Sequence, residues 1–240
     1  MLFRSLALAD LATVERRRDK AQKSVKSGDK TARAELDVLD KIQPALEAGR
    51  SARTVDLTTD ERAIARNFFL LTTKPTIYAA NVDENTLANA DENTMVRAVR
   101  EIAAQESAEC VVICAQLESE LVALPPAERL DYLNSLGVST SGVDQLIKSA
   151  YHLLGLMSFL TAGEKEVRAW TIPQGTRAQT AAGTIHSDIE RGFIRAEVIT
   201  YADLISAGSY AVAREKGLLR LEGKDYIMHE GDVVHFRFNV

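Results

Sequence analysis

Two short apolar runs, each followed by polar residues, stand out in the hydrophobic pattern of residues 72–120. The first covers residues 76–80 and the second covers residues 110–115. Runs of this length, rich in residues that favour strands, predict buried β-strands. The stretch between them, residues 86–107, has helical character, so the strands are predicted to be parallel. The polar ends of both strands would then share the sheet edge at which ligands bind in α/β proteins.

Residues 6–26 and 31–48 carry apolar side chains at helical spacing, and the turn residues 27–29 separate them. Two such helices around a short turn predict an antiparallel helical hairpin. A further helix is predicted over residues 54–71, with Thr58 or Thr59 as its N-cap and its last residues buried.

The pattern changes near residue 157, where short strands replace long helices. Short helices are predicted near residues 177–183 and 201–207. Strands are predicted over residues 159–161, 167–172, 193–199, 218–221, 226–228 and 233–238. This mixture predicts a second, α+β domain with its own core, so the chain as a whole is a mixed α/β protein.

The charge of the chain is unevenly distributed. The formal net charge is -5, yet residues 16–33 hold eight basic and two acidic residues, a local net charge of +6. Such asymmetry indicates an anionic partner, although a run of charges on an exposed helix is also typical of a solvated surface. The basic residues are Arg16, Arg17, Arg18, Lys20, Lys23, Lys26, Lys30 and Arg33.

Other classes of chemistry find little support in the sequence. The four histidines and two cysteines have no spacing typical of metal ligands, so no metal site and no catalytic residue are predicted. The low cysteine content is typical of a reducing compartment, and we expect a cytoplasmic protein. No apolar run approaches the ~20 residues that a membrane-spanning helix needs, so no membrane partner is expected.

Several segments together resemble the Obg-like ATPase family, YchF subfamily. They are residues 8–11, 14–17, 74–76, 80–84, 163–172, 186–198 and 230–238. The resemblance implies a partial P-loop GTPase-like Rossmann sheet with an inserted antiparallel helical hairpin, and a carboxyl-terminal TGS domain of β-grasp form. The domains that it implies are a nucleotide-domain remnant at 1–10, a helical coiled-coil insert at 11–71, the second half of the nucleotide domain at 72–157 and the TGS domain at 158–240.

The phosphate-binding loop of that family has no counterpart in this sequence. The loop motif is Gly-x-x-x-x-Gly-Lys-Ser/Thr, and the only Gly-Lys pair, Gly223-Lys224, is followed by Asp225 instead of a hydroxyl residue. The resemblance implies ATP and Mg2+ as cofactors of the intact family member. We therefore expect the chain to be the carboxyl-terminal two-thirds of such a protein, without its Mg2+ ligands and inactive by itself.

The polar end of the first predicted strand matches the position at which GTPases read the base with Asn-Lys-x-Asp. In this sequence Val82 replaces the lysine and Glu84 replaces the aspartate, so the carboxylate is displaced from the paired donors of guanine. That change agrees with the ATP preference of the family. By resemblance, the residues near the base are Asn81, Val82, Glu84, Ala115, Gln116 and Leu117.

Three interpretations follow from the sequence. The first is an ATP-binding and ATP-hydrolysing Obg-like protein that associates with the ribosome, present as a fragment. The second is a non-catalytic module in which the basic hairpin and the TGS domain dock on RNA or the ribosome, with no DNA specificity. The third is an unrelated two-domain α/β protein whose hairpin serves only in oligomerisation.

Overall fold

The computed structural model describes residues 2–163 and 166–239 of this mixed α/β protein. The chain divides into two compact units, Met1–Gln145 and Leu146–Val240. Among the described residues, no helix combines the length and the apolar character that crossing a membrane requires.

A helical hairpin opens the first unit, as the sequence predicts. Helices α1 (Leu2–Lys26) and α2 (Lys30–Glu47) pack along each other. Asp29 begins α2 because its carboxylate accepts hydrogen bonds from the backbone N–H groups of the first turn. The core of the hairpin includes Val14 and Leu39, neither of which is exposed to solvent. The helical spacing of apolar residues therefore places them on one buried face of each helix.

Helix α3 (Thr59–Arg66) is shorter than the helix predicted over residues 54–71. Its start is fixed by a capping box, in which the Thr58 and Glu61 side chains bond to each other's backbone N–H groups. The helix ends at Asn67, its C-cap, and Phe69 in the segment that follows has a φ of 55°, in the left-handed region. The Phe69 side chain is 82% exposed, so the prediction of a buried helix end is wrong at this residue.

Strands β1 (Ile77–Asn81) and β2 (Glu109–Ile113) form the two-stranded parallel sheet that the sequence predicts. The single helix predicted between them is wrong in extent, because it is divided into α4 (Glu84–Leu87) and α5 (Thr94–Gln105). The division occurs at Asn93, whose side chain caps α5 by accepting two backbone hydrogen bonds. Helix α5 then packs against both strands.

Three further helices follow β2: α6 (Ala115–Ala123), α7 (Pro126–Ser135) and α8 (Gly142–Leu153). A Cβ atom added to Gly142 would lie 2.9 Å from Cβ of Ile113, so only glycine allows α8 to start so close to β2. Helix α8 ends before Gly155, which adopts a φ of 62°, and the chain then enters a strand.

The second unit contains a five-stranded sheet with the strand order β4-β3-β7-β5-β6. Strands β3 and β7 are parallel, and the other neighbouring pairs are antiparallel. The strands are β3 (Leu156–Ala162), β4 (Val167–Pro173), β5 (Phe193–Thr200), β6 (Arg220–Glu222) and β7 (Asp232–Phe238). The strand predicted at residues 226–228 is reduced to one bridge between Ile227 and Arg177.

Four short helices accompany this sheet, two of which the sequence did not predict. Helices α9 (Ala178–Ile185) and α11 (Tyr201–Ala207) occur where they are expected, whereas α10 (Ser187–Arg191) and α12 (Tyr210–Glu215) are additional. The core of this unit contains Phe159, which has no exposed surface and meets Phe236 edge to face at 5.9 Å.

Candidate functional site

The polar ends of β1 and β2 are joined by a direct hydrogen bond. Oδ1 of Asn81 accepts the backbone N–H of Ala115 at 3.0 Å. The backbone N–H of Val82 donates to the carbonyl oxygen of Ile113 at 2.8 Å, which extends the pairing one residue beyond the strand. The structure therefore brings these two strand ends together, as the β-α-β pattern indicates.

A groove of about 410 Å³ lies beside Asn81. Asp83 lies in its wall and caps α4 by accepting the backbone N–H of Thr86 at 2.8 Å. Hydrogen bonds from the side chain and backbone of Thr86 hold the pKa of the Asp83 carboxyl below its usual value. Asn93 and Met95 also line the groove, and no local pattern indicates either residue because α4 and the turn after it separate them from the strand end.

Glu84, Gln116 and Leu117, which are also expected near a base, do not line this groove. Glu84 is exposed at the start of α4, and its charge is the largest influence that raises the pKa of Tyr132. Gln116 is exposed and donates to Glu120 at 3.2 Å. Leu117 is only 1% exposed and belongs to a hydrophobic core, so its side chain does not reach the sheet edge.

Two carboxylates act on Tyr132 of α7. Glu84 and Glu120 both raise the pKa of Tyr132, and Tyr132 lies 48 residues from Glu84 in sequence, so no local pattern indicates this contact. A surface with several carboxylates repels phosphate and favours ligand groups that donate hydrogen bonds. In the part of the chain that the structure describes, no three potential metal ligands lie together.

Two arginines of the basic segment stabilise the hairpin internally. Arg17 is paired with Glu35 at 2.9 Å, and it also donates to the carbonyl oxygen of Asn67 at 2.6 Å. Arg18 is paired with Asp40 at 2.6 Å across the two helices. These guanidinium groups are therefore already occupied by protein partners, which the count of charges in the sequence does not reveal.

The remaining basic residues face solvent. Arg33 pairs with Asp37 one turn further along α2, at an exposed position where such pairs contribute little. Arg16 donates to its own helix backbone. The four lysines are exposed, and no ion pair within residues 2–163 and 166–239 includes any of them; they are Lys20, Lys23, Lys26 and Lys30. The basic segment thus contains structural arginines and solvent-facing lysines.

A buried carboxylate connects α1 to the segment before β1. Asp10 is 3% exposed and accepts the backbone N–H groups of Leu71 at 2.8 Å and Thr72 at 2.7 Å. The Thr72 hydroxyl donates to the same carboxylate at 2.6 Å and accepts the backbone N–H of Ala52 at 3.0 Å. Because Asp10, Thr72 and Ala52 are buried, the bonds among them fix the base of the hairpin.

A second carboxylate, Glu106, continues this network to β1. It accepts a hydrogen bond from the Tyr78 hydroxyl at 2.7 Å and one from the Ser51 hydroxyl at 3.2 Å, and it pairs with the Arg53 guanidinium. Burial, the largest influence, acts to raise the pKa of Glu106, but the bonds from Tyr78 and Arg53 together lower it. The charged form of Glu106 therefore holds three segments together.

Residues 156–239 match the family YchF-GTPase_C, described as "Protein of unknown function (DUF933)". The chain is 48% identical over 235 residues to the "Ribosome-binding ATPase YchF" of Bacillus subtilis, which covers 98% of this chain and 64% of that protein. Its identity to the protein of the same name from Mycoplasma genitalium is 38%, over 100% of this chain and 66% of that protein.

Solved structures give a consistent result. The "Schizosaccharomyces pombe YchF GTPase" matches with a TM-score of 0.79 and 27% identity, over 98% of this chain and 64% of that chain. A "GTP binding protein from Pyrococcus horikoshii OT3" matches with a TM-score of 0.52 and 18% identity, over 99% of this chain and 70% of that one, which supports the fold alone. The chain spans 64–70% of the length of these relatives.

Proposed function

The chain belongs to the YchF family, and we propose on this premise that it is part of an Obg-like protein that binds and hydrolyses ATP and associates with the ribosome. The names of the relatives support both activities. In this proposal the chain supplies the region that contacts the base, together with surfaces that dock on RNA or the ribosome. The protein acts in the cytoplasm, where ribosomes and ATP are both available.

The hydrogen bond between Asn81 and Ala115 is the observation that carries the nucleotide part of the proposal. Because Oδ1 of Asn81 is occupied by the Ala115 N–H, its amide NH2 group is left to donate to a ligand. The groove beside it, about 410 Å³, lies within the range typical of small-molecule sites. Val82 and Asp83 also line it, so a base placed there would contact the strand end directly.

The replacement of aspartate by Glu84 supports a preference for adenine over guanine. The longer side chain displaces the carboxylate that would accept the paired donors of guanine, and unpaired donors reduce affinity. The adenine amino group donates hydrogen bonds, so it suits a groove whose lining includes the Asp83 carboxylate.

We also propose that these 240 residues do not hydrolyse ATP by themselves, because phosphoryl transfer requires groups that cradle the phosphates and Mg2+. The test is ATP turnover by the purified chain with Mg2+ present, compared with the same protein in excess chelator. We expect no turnover above that background. Clear turnover that depends on Mg2+ would show that the chain holds its own phosphate and metal site.

The second candidate function, a non-catalytic docking module, is supported by the four exposed lysines of the hairpin. We propose that residues 11–71 form a coiled-coil insert whose lysines contact RNA phosphates. We further propose that residues 158–240 form a TGS domain of β-grasp form, which agrees with a five-stranded sheet whose β3 and β7 are parallel. Residues 1–10 and 72–157 would then belong to the nucleotide domain, which the Asp10 and Glu106 bonds connect to the hairpin.

A further inference from the structure

The second unit contains a groove of about 800 Å³ that the proposed function does not use. Its floor is formed by Met157 and Met228, which are 4% and 2% exposed. Ile147 of α8 and Leu156 of β3 form apolar walls on either side. The volume lies within the range of small-molecule sites, and the lining is mainly apolar, as is usual for such sites.

The polar groups at the rim of this groove differ in whether protein partners already bind them. Glu230 accepts the backbone N–H of Ser158 at 2.9 Å, and His229 shares a hydrogen bond of 2.9 Å with the Tyr226 hydroxyl. Those contacts hold both residues in place. Lys148, by contrast, is exposed on α8 and forms no ion pair within the described part of the chain.

The spacing along α8 directs this lysine to the groove. Lys148 and His152 are four residues apart, so they share one face of the helix, as do Ile147 and Tyr151. Tyr151 is anchored by a 2.9 Å bond between its hydroxyl and that of Thr171. The helix therefore contributes the apolar side chain of Ile147, the anchored ring of Tyr151 and the exposed positive charge of Lys148 to the lining of the groove.

We propose that this groove binds a small amphipathic anion, with its apolar body against Met157 and Met228 and its carboxylate beside Lys148. Methionine side chains are flexible and polarisable, so they adapt to apolar bodies of different shapes. The lysine attracts a negative head group and repels a positive one. Glu230 lies at the same rim, where its carboxylate accepts the Ser158 backbone N–H, and no ion pair between it and Lys148 occurs in the described part of the chain.

The test uses the four methionines of the chain as reporters. The chain is labelled with 13C at the methionine methyl groups and titrated with octanoate, octan-1-ol and octylamine, which share one chain length and differ in charge. Octanoate is expected to shift the signals of Met157 and Met228 saturably, at lower concentration than octanol, and octylamine should bind most weakly. Met95, which is 80% exposed in the first unit, serves as the internal control and should not shift.

A charge variant completes the test. Lys148→Gln should weaken octanoate binding by about threefold to fivefold, the range of an exposed ion pair, and leave octanol binding unchanged. The matched variant Lys216→Gln, at another exposed lysine of the second unit, should alter neither. Equal affinity for the three probes, equal shifts at Met95, or no shift at Met157 and Met228 would overturn the proposal.

Discussion

The hydroxyl group of Tyr78 donates a hydrogen bond of 2.7 Å to Oε2 of Glu106. Tyr78 lies in β1, three residues before Asn81, whereas Glu106 follows α5. Since Glu106 also holds Ser51 and Arg53, the strand that presents Asn81 is fixed to the base of the helical hairpin. The position of the strand end therefore depends on Glu106, a carboxylate that does not line the groove beside Asn81.

Replacing Glu106 with glutamine tests this relationship. The variant keeps an acceptor for Tyr78 but removes the charge that pairs with Arg53, so we expect a loss of about 1–3 kcal/mol in the free energy of unfolding. The measurement is urea unfolding followed by circular dichroism. Glu101→Gln, at an exposed position of α5, is the control and should change stability little. Equal stability of the two variants would show that the network contributes nothing.

The second unit should lose stability at high pH because of Tyr226. Burial, together with the hydrogen bond to Asp232, raises the pKa of Tyr226 to about 12 from its ordinary 10. A folded-state pKa above the unfolded one means that the stabilisation is complete below pH 10 and is lost as pH rises towards 12. Unfolding by urea at several pH values should show this loss, and Tyr226→Phe should reduce its steepness. Tyr201→Phe, at a residue that is 56% exposed, should leave the profile as it is.

Gly192 allows the end of the chain to pass close to the start of β5. An added Cβ atom would lie 2.1 Å from the carbonyl oxygen of Asn239, a backbone atom that cannot simply rotate away. Gly192→Ala should therefore lower the free energy of unfolding by about 1–3 kcal/mol, as overpacking usually does. Gly223→Ala is the matched control, since no atom lies within 4 Å of its added Cβ. Similar melting temperatures for both variants would contradict this account.

The solvent-facing lysines of the hairpin should carry its affinity for RNA. Replacing Lys20, Lys23, Lys26 and Lys30 together with glutamine should weaken RNA binding across sequences and flatten its salt dependence, without a loss of stability. Arg17→Gln should instead destabilise the hairpin, because its partners Glu35 and Asn67 lose their bonds. Binding by the unchanged chain that is insensitive to salt would rule out phosphate contacts.

The helical hairpin and the parallel pair of strands could be predicted because each depends on a local period of apolar residues. The ends of the helices depended on other interactions. Asn93 divides the helix after β1 through a cap, and Phe69 adopts a left-handed backbone conformation in the segment after α3. Asparagine and phenylalanine occur in many other structural settings, so the sequence alone does not indicate a cap at Asn93 or a left-handed conformation at Phe69.

The sequence pattern predicted where the candidate site lies better than it predicted which side chains lie there. The β-α-β pattern places Asn81 beside Ala115 without further information. Leu117 is buried because α6 begins at Ala115 and turns this side chain towards the core. Glu106 and Tyr132 join the region through contacts between residues far apart in sequence, which no local pattern encodes.

The most direct test of the central claim, a base-binding site at Asn81, is calorimetric titration with ATP and with GTP in the presence of Mg2+. We expect weak binding of ATP and weaker binding of GTP. Asn81→Asp retains the acceptor for the Ala115 N–H but loses the amide donors, so it should abolish ATP binding while preserving the melting temperature. Absence of ATP binding by the unchanged chain, or full ATP binding by a folded Asn81→Asp variant, would contradict the account.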